Sequence, residues 1–380
     1  MIIVDYSHLA MRNLFVSIPK KPTFKTEEYI DIFFSQMLTS LRKIEGYKHK
    51  YGDIVLAIDS RRNWRKDATK NYKGFRAKVR SESPIDFDEY FEKSDELITI
   101  LENGFGIKTI KVDNVEADDI GYVLSHLTDE RTLLITEDKD WVQNLIGNLS
   151  VDILHPIKDK LIVNNQALQI ELRNKRLIHC AIGDKVDAIP SILDNLEYTD
   201  DFKKFIEISG FNVSLPRVFE KNECFDGLLK QFNSKYADEP KIKVYKPGRF
   251  GEKTAEKIYN DLEQRKKFKK KHKANHKRIL ENFKLNRKLI DMSKIPQDLK
   301  QNIIDEFVNY KNSKDVNIIN EFIDRYGLHN IRRTLVLNEV DLGLETSNAF
   351  SSFSDFEYDF SKPQEVKEEV KDDDFGEWGF

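Results

Sequence analysis

The stretch VEADDIGYVLSH, residues 115–126, places Glu116, Asp118 and Asp119 within four positions, directly before an apolar pattern of helical period. Like charges this close repel one another and resist joint ionisation. One explanation is structural, since acidic side chains favour the first turn of a helix, where they meet the positive end of the helix dipole. The other is a cation site, since carboxylate oxygens are the usual ligands of magnesium. The stretch alone does not decide between the two.

Other acidic residues follow short apolar segments of the kind that form buried strands. Asp5 ends MIIVD, Asp59 ends GDIVLAID, and Asp138 comes two residues after RTLLIT. Ligands of open α/β sheets bind at the carboxyl ends of the strands, so these three side chains are expected to converge on one edge. A single acidic residue is more often a cap or a solvated surface group, but three separate strand ends closing on Asp favour a shared site.

Two more motifs enlarge the acidic set. TEDKDW adds Asp140, and GDKVDAIP adds Asp184 and Asp187, which are three apart and able to face one side of a turn. Two magnesium ions would neutralise so many carboxylates, clamp a phosphodiester and activate water. The sequence contains no GxSxG, P-loop or HExxH motif that would support a different chemistry.

The elements that must position these residues alternate between strand and helix up to about residue 190. Strands are predicted at MIIV, GDIVLAID, IKTIKV and RTLLIT, and helices at 26–46, 86–103, after the quoted acids, and at 165–180. Continuously apolar strands between helices predict an α/β fold with a mostly parallel central sheet flanked by helices. Residues 250–336 are predicted to be mainly helical.

Composition separates a basic body from an acidic end. The 380 residues carry a net charge of −3, but residues 339–380 hold 13 acidic residues against three lysines, a net of −10. The other 338 residues therefore carry +7, which favours a polyanionic partner. No apolar run is long enough to span a membrane, MIIVDYSHLA is not a signal peptide, and only two cysteines occur, so we expect a cytoplasmic protein without a disulfide framework.

Basic residues directly after Asp59 form a segment that suits nucleic acid. Aromatic side chains can stack on bases while lysine and arginine meet phosphates, although such a run in isolation is more often a solvated helix. The segment contains Trp64, Lys66, Lys70, Tyr72, Lys73, Phe75, Arg76, Lys78 and Arg80.

Two later segments are also basic. In YKPGRFGEKTAEKI, residues 245–258, a turn with two glycines leads into a helix whose N-terminal amides suit a phosphate. The run RKKFKKKHKANHKR, residues 265–278, holds nine lysines or arginines and is either a solvated segment or one that follows a nucleic-acid backbone.

Taken in order, VDYSHLA, LAID followed by WRKDATKNYKGFR, VEADD, TEDKDW and GDKVDAIP resemble the flap endonuclease and 5′-nuclease superfamily, and GRFGEKTAEKI resembles its helix–three-turn–helix motif. The resemblance spans roughly residues 1–336. It implies a PIN-like nuclease core over 1–190 with a basic arch at about 61–85, and an insertion plus helical DNA-binding domain over 191–338. More than fifty residues separate Pro190 from the three-turn motif, which departs from the family's usual spacing.

The resemblance also implies roles for individual residues. Asp5, Asp59, Glu116 and Asp118 would surround a first metal ion, Asp138, Asp140, Asp184 and Asp187 would serve a second ion largely through water, and Asp119 would support the cluster. Asp118 and Asp138 would be essential for catalysis, and Lys73 and Arg76 would contact the scissile phosphate. Nucleic acid would be held by Lys66, Lys70, Tyr72, Lys73, Arg76, Arg80, Gly248, Gly251, Lys253, Thr254 and Lys257.

The activity implied is that of a 5′-3′ exonuclease and flap endonuclease that removes RNA primers, as a ribonuclease H does, during phage DNA replication. It would act as a monomer on DNA and RNA–DNA duplexes with 5′ ends or flaps, in the host cytoplasm, with two Mg²⁺ ions or with Mn²⁺. The alternatives are a PIN-type RNA endonuclease, which would lack the three-turn motif, and a non-catalytic DNA-junction binder, which would gain nothing from acids that repel phosphate.

Residues 339–380 have no counterpart in this resemblance. They are acidic and poor in aliphatic side chains, which predicts disorder, yet they carry several aromatic rings. Aromatic residues set among acids favour a docking peptide for a sliding clamp or a single-strand-binding protein. The alternative is that the segment folds back and mimics nucleic acid on the basic body.

Overall fold

The computed structural model describes most of residues 1–331 and arranges them in two compact units. The first comprises Met1–Asn63, Glu82–Gln169 and the described residues from Ile295 onward, and the second comprises residues from Trp64–Ser81 and Ile170–Lys294. The described residues are 1–21, 23–69, 72–74, 76, 80–193, 201, 204–205, 231–232, 234–236, 238, 250–311 and 313–331.

A six-stranded sheet organises the first unit. The strands are β1 Ile2–Asp5, β2 Ile54–Ala57, β3 Lys108–Ile110, β4 Thr132–Ile135, β5 Val151–His155 and β6 Lys160–Ile162. Their order is β3-β2-β1-β4-β5-β6, with parallel pairing throughout except for the antiparallel β6 at one edge. All four residues of β1, β2 and β4 are buried, as expected of strands covered on both faces. The predicted mostly parallel α/β sheet is confirmed.

The strand order determines where a ligand site would form. The chain adds β2 and β3 on one side of β1, and then β4 and β5 on the other side, so the order reverses between β1 and β4. The register pairs Asp5 with Ala57 of β2 and Val4 with Ile135 of β4. Because these strands are parallel, the segments that follow them leave the sheet at the same edge, beside the point of reversal where α/β folds bind ligands.

Twelve helices lie within the described residues. They are α1 Tyr6–Ser17, α2 Ile30–Glu45, α3 Lys48–Tyr51, α4 Arg65–Ala68, α5 Phe87–Asn103, α6 Ala117–Ser125, α7 Gln166–Ile182, α8 Glu252–Asn260, α9 Leu262–Lys271, α10 His276–Ile290, α11 Gln297–Asn309 and α12 Val316–Arg325. The helices predicted at 26–46, 86–103 and 165–180 correspond to α2, α5 and α7. Helix α1 and the β5–β6 hairpin were not predicted.

The core of the first unit lies where α2, α5 and α12 pack together beside the sheet. Phe34 of α2 contacts Phe322 of α12 and Tyr326 just beyond it, with ring centroids 4.9 and 4.7 Å apart. Lys93 of α5 donates to the Tyr326 hydroxyl, which in turn donates to Glu96. The C-terminal helices α11 and α12 are therefore part of the same unit as the sheet.

Helix α10 makes buried hydrogen bonds to several segments of the second unit. Its buried Asn286 donates through Nδ2 to the carbonyls of Cys180 and Pro190, and Asn282 donates to the carbonyl of Ile192. These bonds fix the segment that contains GDKVDAIP, since a buried amide is costly to leave without a partner. In the last turn of α10 the carbonyl of Leu289 accepts a hydrogen bond from the buried Arg65 of α4.

Within the described residues, no helix combines the length and the apolar character needed to cross a lipid bilayer.

Candidate active site

Asp5 lies at the carboxyl end of β1 and is 6% exposed. It caps α1 by accepting the backbone N–H of His8 at 3.0 Å, and it accepts the hydroxyl of Thr136 at 2.9 Å. Burial is the main cause that raises the pKa of Asp5 to about 7, followed by the negative charge of Asp59; Asp138 acts in the same direction, and the two hydrogen bonds act in the opposite one. Three acidic groups therefore share one edge of the sheet; they are called the sheet-edge acids below.

Asp59 and Asp138 are also held by backbone N–H groups at the start of helical segments. Asp59 accepts the N–H of Ala117, the first residue of α6, at 2.7 Å. Asp138 caps the 3₁₀ segment Lys139–Leu145 by accepting the N–H of Asp140 at 2.9 Å. The Thr136 hydroxyl links two of the acids, because it donates to Asp5 and accepts the N–H of Asp138 at 3.0 Å. Helix N-termini thus orient all three carboxylates.

The acids of VEADD have the structural role that their position at a helix start suggested. Glu116 is the N-cap of α6, and Asp119 accepts its backbone N–H at 3.3 Å as part of a capping box. Asp119 is fully buried, so its carboxylate supports the helix start rather than facing the edge. Asp118, in the first turn of α6, and Asp140 are half-buried.

Oxygen donors dominate this edge, which suits a hard divalent cation. Among the described residues, no three His, Cys, Asp or Glu side chains already gather their donor atoms around one metal position. The sheet-edge acids fit a cation on energetic grounds instead. Burial and, second to it, the charge of Asp59 raise the pKa of Asp5 to about 7, and a bound cation would favour the charged form of this carboxyl group.

The GDKVD turn, residues 183–187, is organised by Asp184. One oxygen of Asp184 accepts the N–H groups of Val186 at 2.8 Å and Asp187 at 3.3 Å, and the other lies 3.1 Å from Nε2 of His179. Gly183 has φ +71°, and a Cβ there would lie 2.4 Å from the carbonyl oxygen of Ile189. Only glycine fits this position.

Three side chains of the basic arch face Asp187. Tyr72 donates its hydroxyl to Oδ2 at 3.3 Å, Nζ of Lys73 lies 3.8 Å from the same oxygen, and Arg76 reaches Oδ1 at 3.6 Å. The sequence predicted that Lys73 and Arg76 contact a phosphate and that Asp187 serves a metal. It did not predict that these groups pair with one another.

Two aromatic residues of the basic arch are buried, which corrects the expectation that they stack on bases. Trp64 and Tyr72 are 5% and 3% exposed, so neither ring offers a face on which a base can stack. Both rings lie against the guanidinium of Arg65, at 4.6 and 6.0 Å, and Arg65 itself is 2% exposed. These rings form part of the core of the second unit, so the prediction that Tyr72 stacks on nucleic acid is not supported. Phe75 lies outside the described residues.

The remaining predicted contacts to nucleic acid lie on the surface where the structure describes them. Lys66 and Arg80 are exposed, as are Lys253, Thr254 and Lys257 of α8. Gly251 is the N-cap of α8, and a Cβ at this position would meet nothing within 4 Å. Lys70 and Gly248 lie outside the described residues. Helix α9 buries Phe268 and exposes the lysines around it, so the run that begins at residue 265 has a charged outer face.

Comparison with known proteins shows a similarity that covers most of this arrangement. A family model for the 5′-3′ exonuclease N-terminal, resolvase-like domain matches residues 1–173. Residues 1–173 are therefore similar to this domain. The sheet-edge acids and the acids of VEADD and TEDKDW all lie within the matched residues, whereas the GDKVD turn lies just beyond them.

Proteins similar to this chain include one from a phage and one from a bacterium. The chain is 28% identical over 196 residues to the ribonuclease H of Enterobacteria phage T4, covering 50% of this chain and 62% of that protein. It is 30% identical over 153 residues to the 5′-3′ exonuclease of Buchnera aphidicola subsp. Acyrthosiphon pisum (strain APS), covering 38% of this chain and 50% of that protein. The chain thus spans between half and two thirds of the length of these relatives.

Solved structures to which the chain shows similarity include the T5 D15 protein crystallised with metal ions, with 17% identity and a TM-score of 0.43 over 80% of this chain and 97% of that chain. The bacteriophage T5 D15 flap endonuclease in a complex with DNA and metal ions has 16% identity and a TM-score of 0.44 over the same shares.

Proposed function

We propose that the protein is a metal-dependent, structure-selective 5′ nuclease that hydrolyses phosphodiester bonds near 5′ ends and flaps of DNA and RNA–DNA duplexes. The observation that carries the proposal is the meeting of Asp5, Asp59 and Asp138 at one edge of a parallel sheet, where burial and, second to it, the negative charge of Asp59 raise the pKa of Asp5 to about 7. The match of residues 1–173 to a 5′-3′ exonuclease domain supports the same reaction class.

The cofactor proposed is Mg²⁺, in two sites, with Mn²⁺ as a substitute. The sheet-edge acids, together with Glu116, Asp118 and Asp140, would hold the ions, and Asp184 and Asp187 would act on the second ion through water. Bound cations would supply Lewis acidity toward the phosphoryl group and an activated water. A carboxylate cluster without such cations repels a phosphodiester, so metal binding and substrate binding are coupled.

The chain's own cations would orient the substrate. Lys73 and Arg76 of the basic arch would contact the scissile phosphate, where fixed positive charge stabilises the developing negative charge. The exposed N-terminus of α8, with Gly251, Lys253 and Thr254, would hold the duplex backbone, since the orphan N–H groups of a helix start suit a phosphate. The lysines of α9 would add a salt-dependent contact.

The biological role proposed is removal of RNA primers in phage DNA replication; the T4 relative is named a ribonuclease H. Residues 345–380 would recruit a sliding clamp or a single-strand-binding protein. These residues lie outside the described part of the chain, so this proposal depends on their sequence alone. It predicts that removal of residues 345–380 abolishes partner binding and leaves cleavage of bare substrate unchanged. Faster cleavage of bare substrate with unchanged partner binding would support self-occlusion instead.

A single labelled substrate tests the proposal. A duplex with a 5′ single-stranded flap, labelled at its 5′ end, is incubated with the full chain in Mg²⁺ and, separately, in chelator. We expect metal-dependent release of a short labelled product that maps near the junction. A ladder of single nucleotides would indicate stepwise trimming, and a chimeric flap with RNA at its 5′ end would measure the preference for RNA.

The result that would contradict the proposal is tight binding of the flap substrate without cleavage in either Mg²⁺ or Mn²⁺. That result would leave a non-catalytic junction binder. Cleavage restricted to single-stranded RNA, without need for a duplex or a 5′ end, would favour a PIN-type RNA endonuclease.

A further inference from the structure

The carboxylate of Asp187 is surrounded by groups of the basic arch. Oδ2 faces the hydroxyl of Tyr72 at 3.3 Å and the ammonium of Lys73 at 3.8 Å, while Oδ1 faces the guanidinium of Arg76 at 3.6 Å. The side chains of Asp187 and Lys73 are 13% and 15% exposed, whereas that of Arg76 is 53% exposed. One carboxylate thus gathers both cations that the proposed reaction would use.

Backbone contacts fix this arrangement from both sides. The N–H of Lys73 donates to the backbone carbonyl of Asp187 at 3.1 Å, and Lys73 has φ +53°, a left-handed conformation that a long side chain rarely adopts. The N–H of Asp187 donates to Asp184 within the GDKVD turn. The N–H of Arg76 donates to the carbonyl of Lys73, so both cations belong to one turn of the arch.

The geometry of both ion pairs suits replacement of the Asp187 carboxylate by another anion. Their N···O separations of 3.6 and 3.8 Å exceed the roughly 2.7–2.9 Å of a tight charge-assisted hydrogen bond. A phosphodiester also presents two anionic oxygens and competes for the same cations. Arginine in particular matches a phosphate through two parallel hydrogen bonds.

We propose that Asp187 is a positioning residue for the basic arch, which holds Lys73 and Arg76 at the GDKVD turn until a substrate phosphate replaces its carboxylate. Tyr72 completes the contact by anchoring the same carboxylate from the buried side. The inference rests on the proposed function for the identity of the anion, but the contact itself exists without substrate or metal. Asp187 therefore weakens phosphate binding before the substrate arrives and orders the groups that will receive it.

Amide hydrogen exchange tests the contact in the absence of metal and nucleic acid. In chelator, the full chain carrying Asp187→Asn should exchange the amides of Lys73 and Arg76 about 5-fold faster than wild type, the change expected from loss of a partly buried ion pair. Tyr72→Phe is a second variant that keeps the charge of Asp187 and should change exchange in the same direction. Glu281→Gln, an exposed acidic position on α10, is the matched control and should leave both amides unchanged.

Binding to the labelled flap duplex in chelator tests the competition. Asp187→Asn should tighten binding about 5-fold, whereas a purely structural residue would weaken binding when replaced. The gain should disappear in a background that carries Lys73→Gln and Arg76→Gln, because the freed cations are then absent. Glu281→Gln should show no comparable gain.

The two proposals fail in different ways. Unchanged exchange in both Asp187→Asn and Tyr72→Phe, or unchanged or weaker metal-free binding of Asp187→Asn, would overturn the positioning role. If the amides exchange faster in both variants but the wild-type chain does not bind the flap duplex, the contact stands and the proposed substrate is wrong.

Discussion

Two groups of acidic residues in this protein are stabilised in opposite ways. The sheet-edge acids are held by backbone N–H groups and a hydroxyl, and burial together with the negative charges of Asp59 and Asp138 raises the pKa of Asp5 to about 7. The acids of the GDKVD turn face cations or a histidine supplied by the chain: Lys73 and Arg76 for Asp187, and His179 for Asp184.

The difference between the two groups indicates which acidic residues would bind a metal ion. A carboxylate that already faces lysine and arginine gains less from a metal ion, because much of its charge is already compensated. Carboxylates that only accept N–H and hydroxyl donors keep their mutual repulsion until a cation arrives. The comparison therefore predicts that the sheet-edge acids dominate metal binding and that Asp187 acts mainly on the basic arch.

The largest expected effect comes from neutralising a sheet-edge acid. Asp59→Asn or Asp138→Asn keeps the acceptor for its backbone N–H but removes a charge, and flap cleavage should fall by at least about 100-fold, the scale typical of lost electrostatic stabilisation. Metal-free binding of the duplex should be unchanged or tighter, because repulsion of phosphate is reduced. Asp118→Asn should behave in the same way.

Asp159→Asn is the matched control for these variants. Asp159 is exposed in the β5–β6 turn with φ +46°, a conformation that asparagine also tolerates, so the same change of charge should leave cleavage intact. A fully active Asp59→Asn or Asp138→Asn enzyme would refute the assignment of the sheet-edge acids.

The second effect is stabilisation by metal, which compares the two groups directly. Saturating Mg²⁺ should raise the free energy of unfolding of the wild type by about 3 kcal/mol at 100 times its dissociation constant. Asp138→Asn should lose most of this gain, whereas Asp187→Asn should keep most of it. Thermal unfolding of each variant with and without Mg²⁺ measures the difference. Equal losses in the two variants would show that both groups bind metal alike.

A third, smaller effect concerns two glycines. A Cβ on Gly121 of α6 would lie 2.4 Å from the ring of the buried Trp141, which belongs to the segment that Asp138 caps. Gly121→Ala should therefore cost about 1–3 kcal/mol of overpacking, more than the roughly 1 kcal/mol that alanine gains in a helix. Cleavage should also fall, since the displaced indole shifts the turn that carries Asp138.

Gly251→Ala is the contrasting variant, because a Cβ there meets nothing within 4 Å. Its stability should stay within about 1 kcal/mol of wild type, as for other N-cap substitutions of this kind, while duplex binding weakens. Melting temperatures and duplex affinities measured side by side separate a glycine needed for packing from one needed for close approach of a phosphate backbone. Unchanged duplex affinity of Gly251→Ala would remove the start of α8 from the proposed interface.

The smallest expected effect is a pH dependence of stability that comes from a histidine outside both groups of acidic residues. His126, at the end of α6, has its pKa lowered from the usual value by burial. A folded-state pKa below the unfolded value stabilises the protein above pH 6.5, and this stability is lost as the pH falls through the folded value. Chemical unfolding between pH 5 and pH 8 should show a shallower acid-side loss in His126→Asn than in the exposed control His329→Asn. Identical profiles would contradict this role of His126.

Much of the fold could be predicted from the sequence because buried parallel strands leave continuous apolar runs. Three central strands were predicted from the runs MIIV, GDIVLAID and RTLLIT. The acidic residues at or just after the carboxyl ends of these strands predicted the acidic edge of the sheet. Helix α1 was missed because it begins directly after Asp5, with no linker between strand and helix. The β5–β6 hairpin was missed because β6 is exposed and lacks a strong apolar pattern.

The arrangement around Asp187 could not be predicted, because it depends on tertiary contacts between distant segments. Tyr72, Lys73 and Arg76 stand among many lysines and arginines, and nothing local distinguishes residues that face an internal carboxylate from those that face solvent. The burial of Trp64 and Tyr72 follows from the same cause. Rings among basic residues resemble a nucleic-acid surface in sequence, whereas here they surround the buried Arg65.

The strand order has a consequence for how this protein is made. Asp5, Asp59 and Asp138 meet only after β2 and then β4 have paired with β1, and such long-range pairings form slowly compared with local helices. A growing chain that has not yet reached β4 holds only part of the carboxylate edge. Under the proposed function, the nascent polypeptide would therefore be unable to cleave nucleic acid, including the messenger RNA still being translated, until the N-terminal sheet is complete.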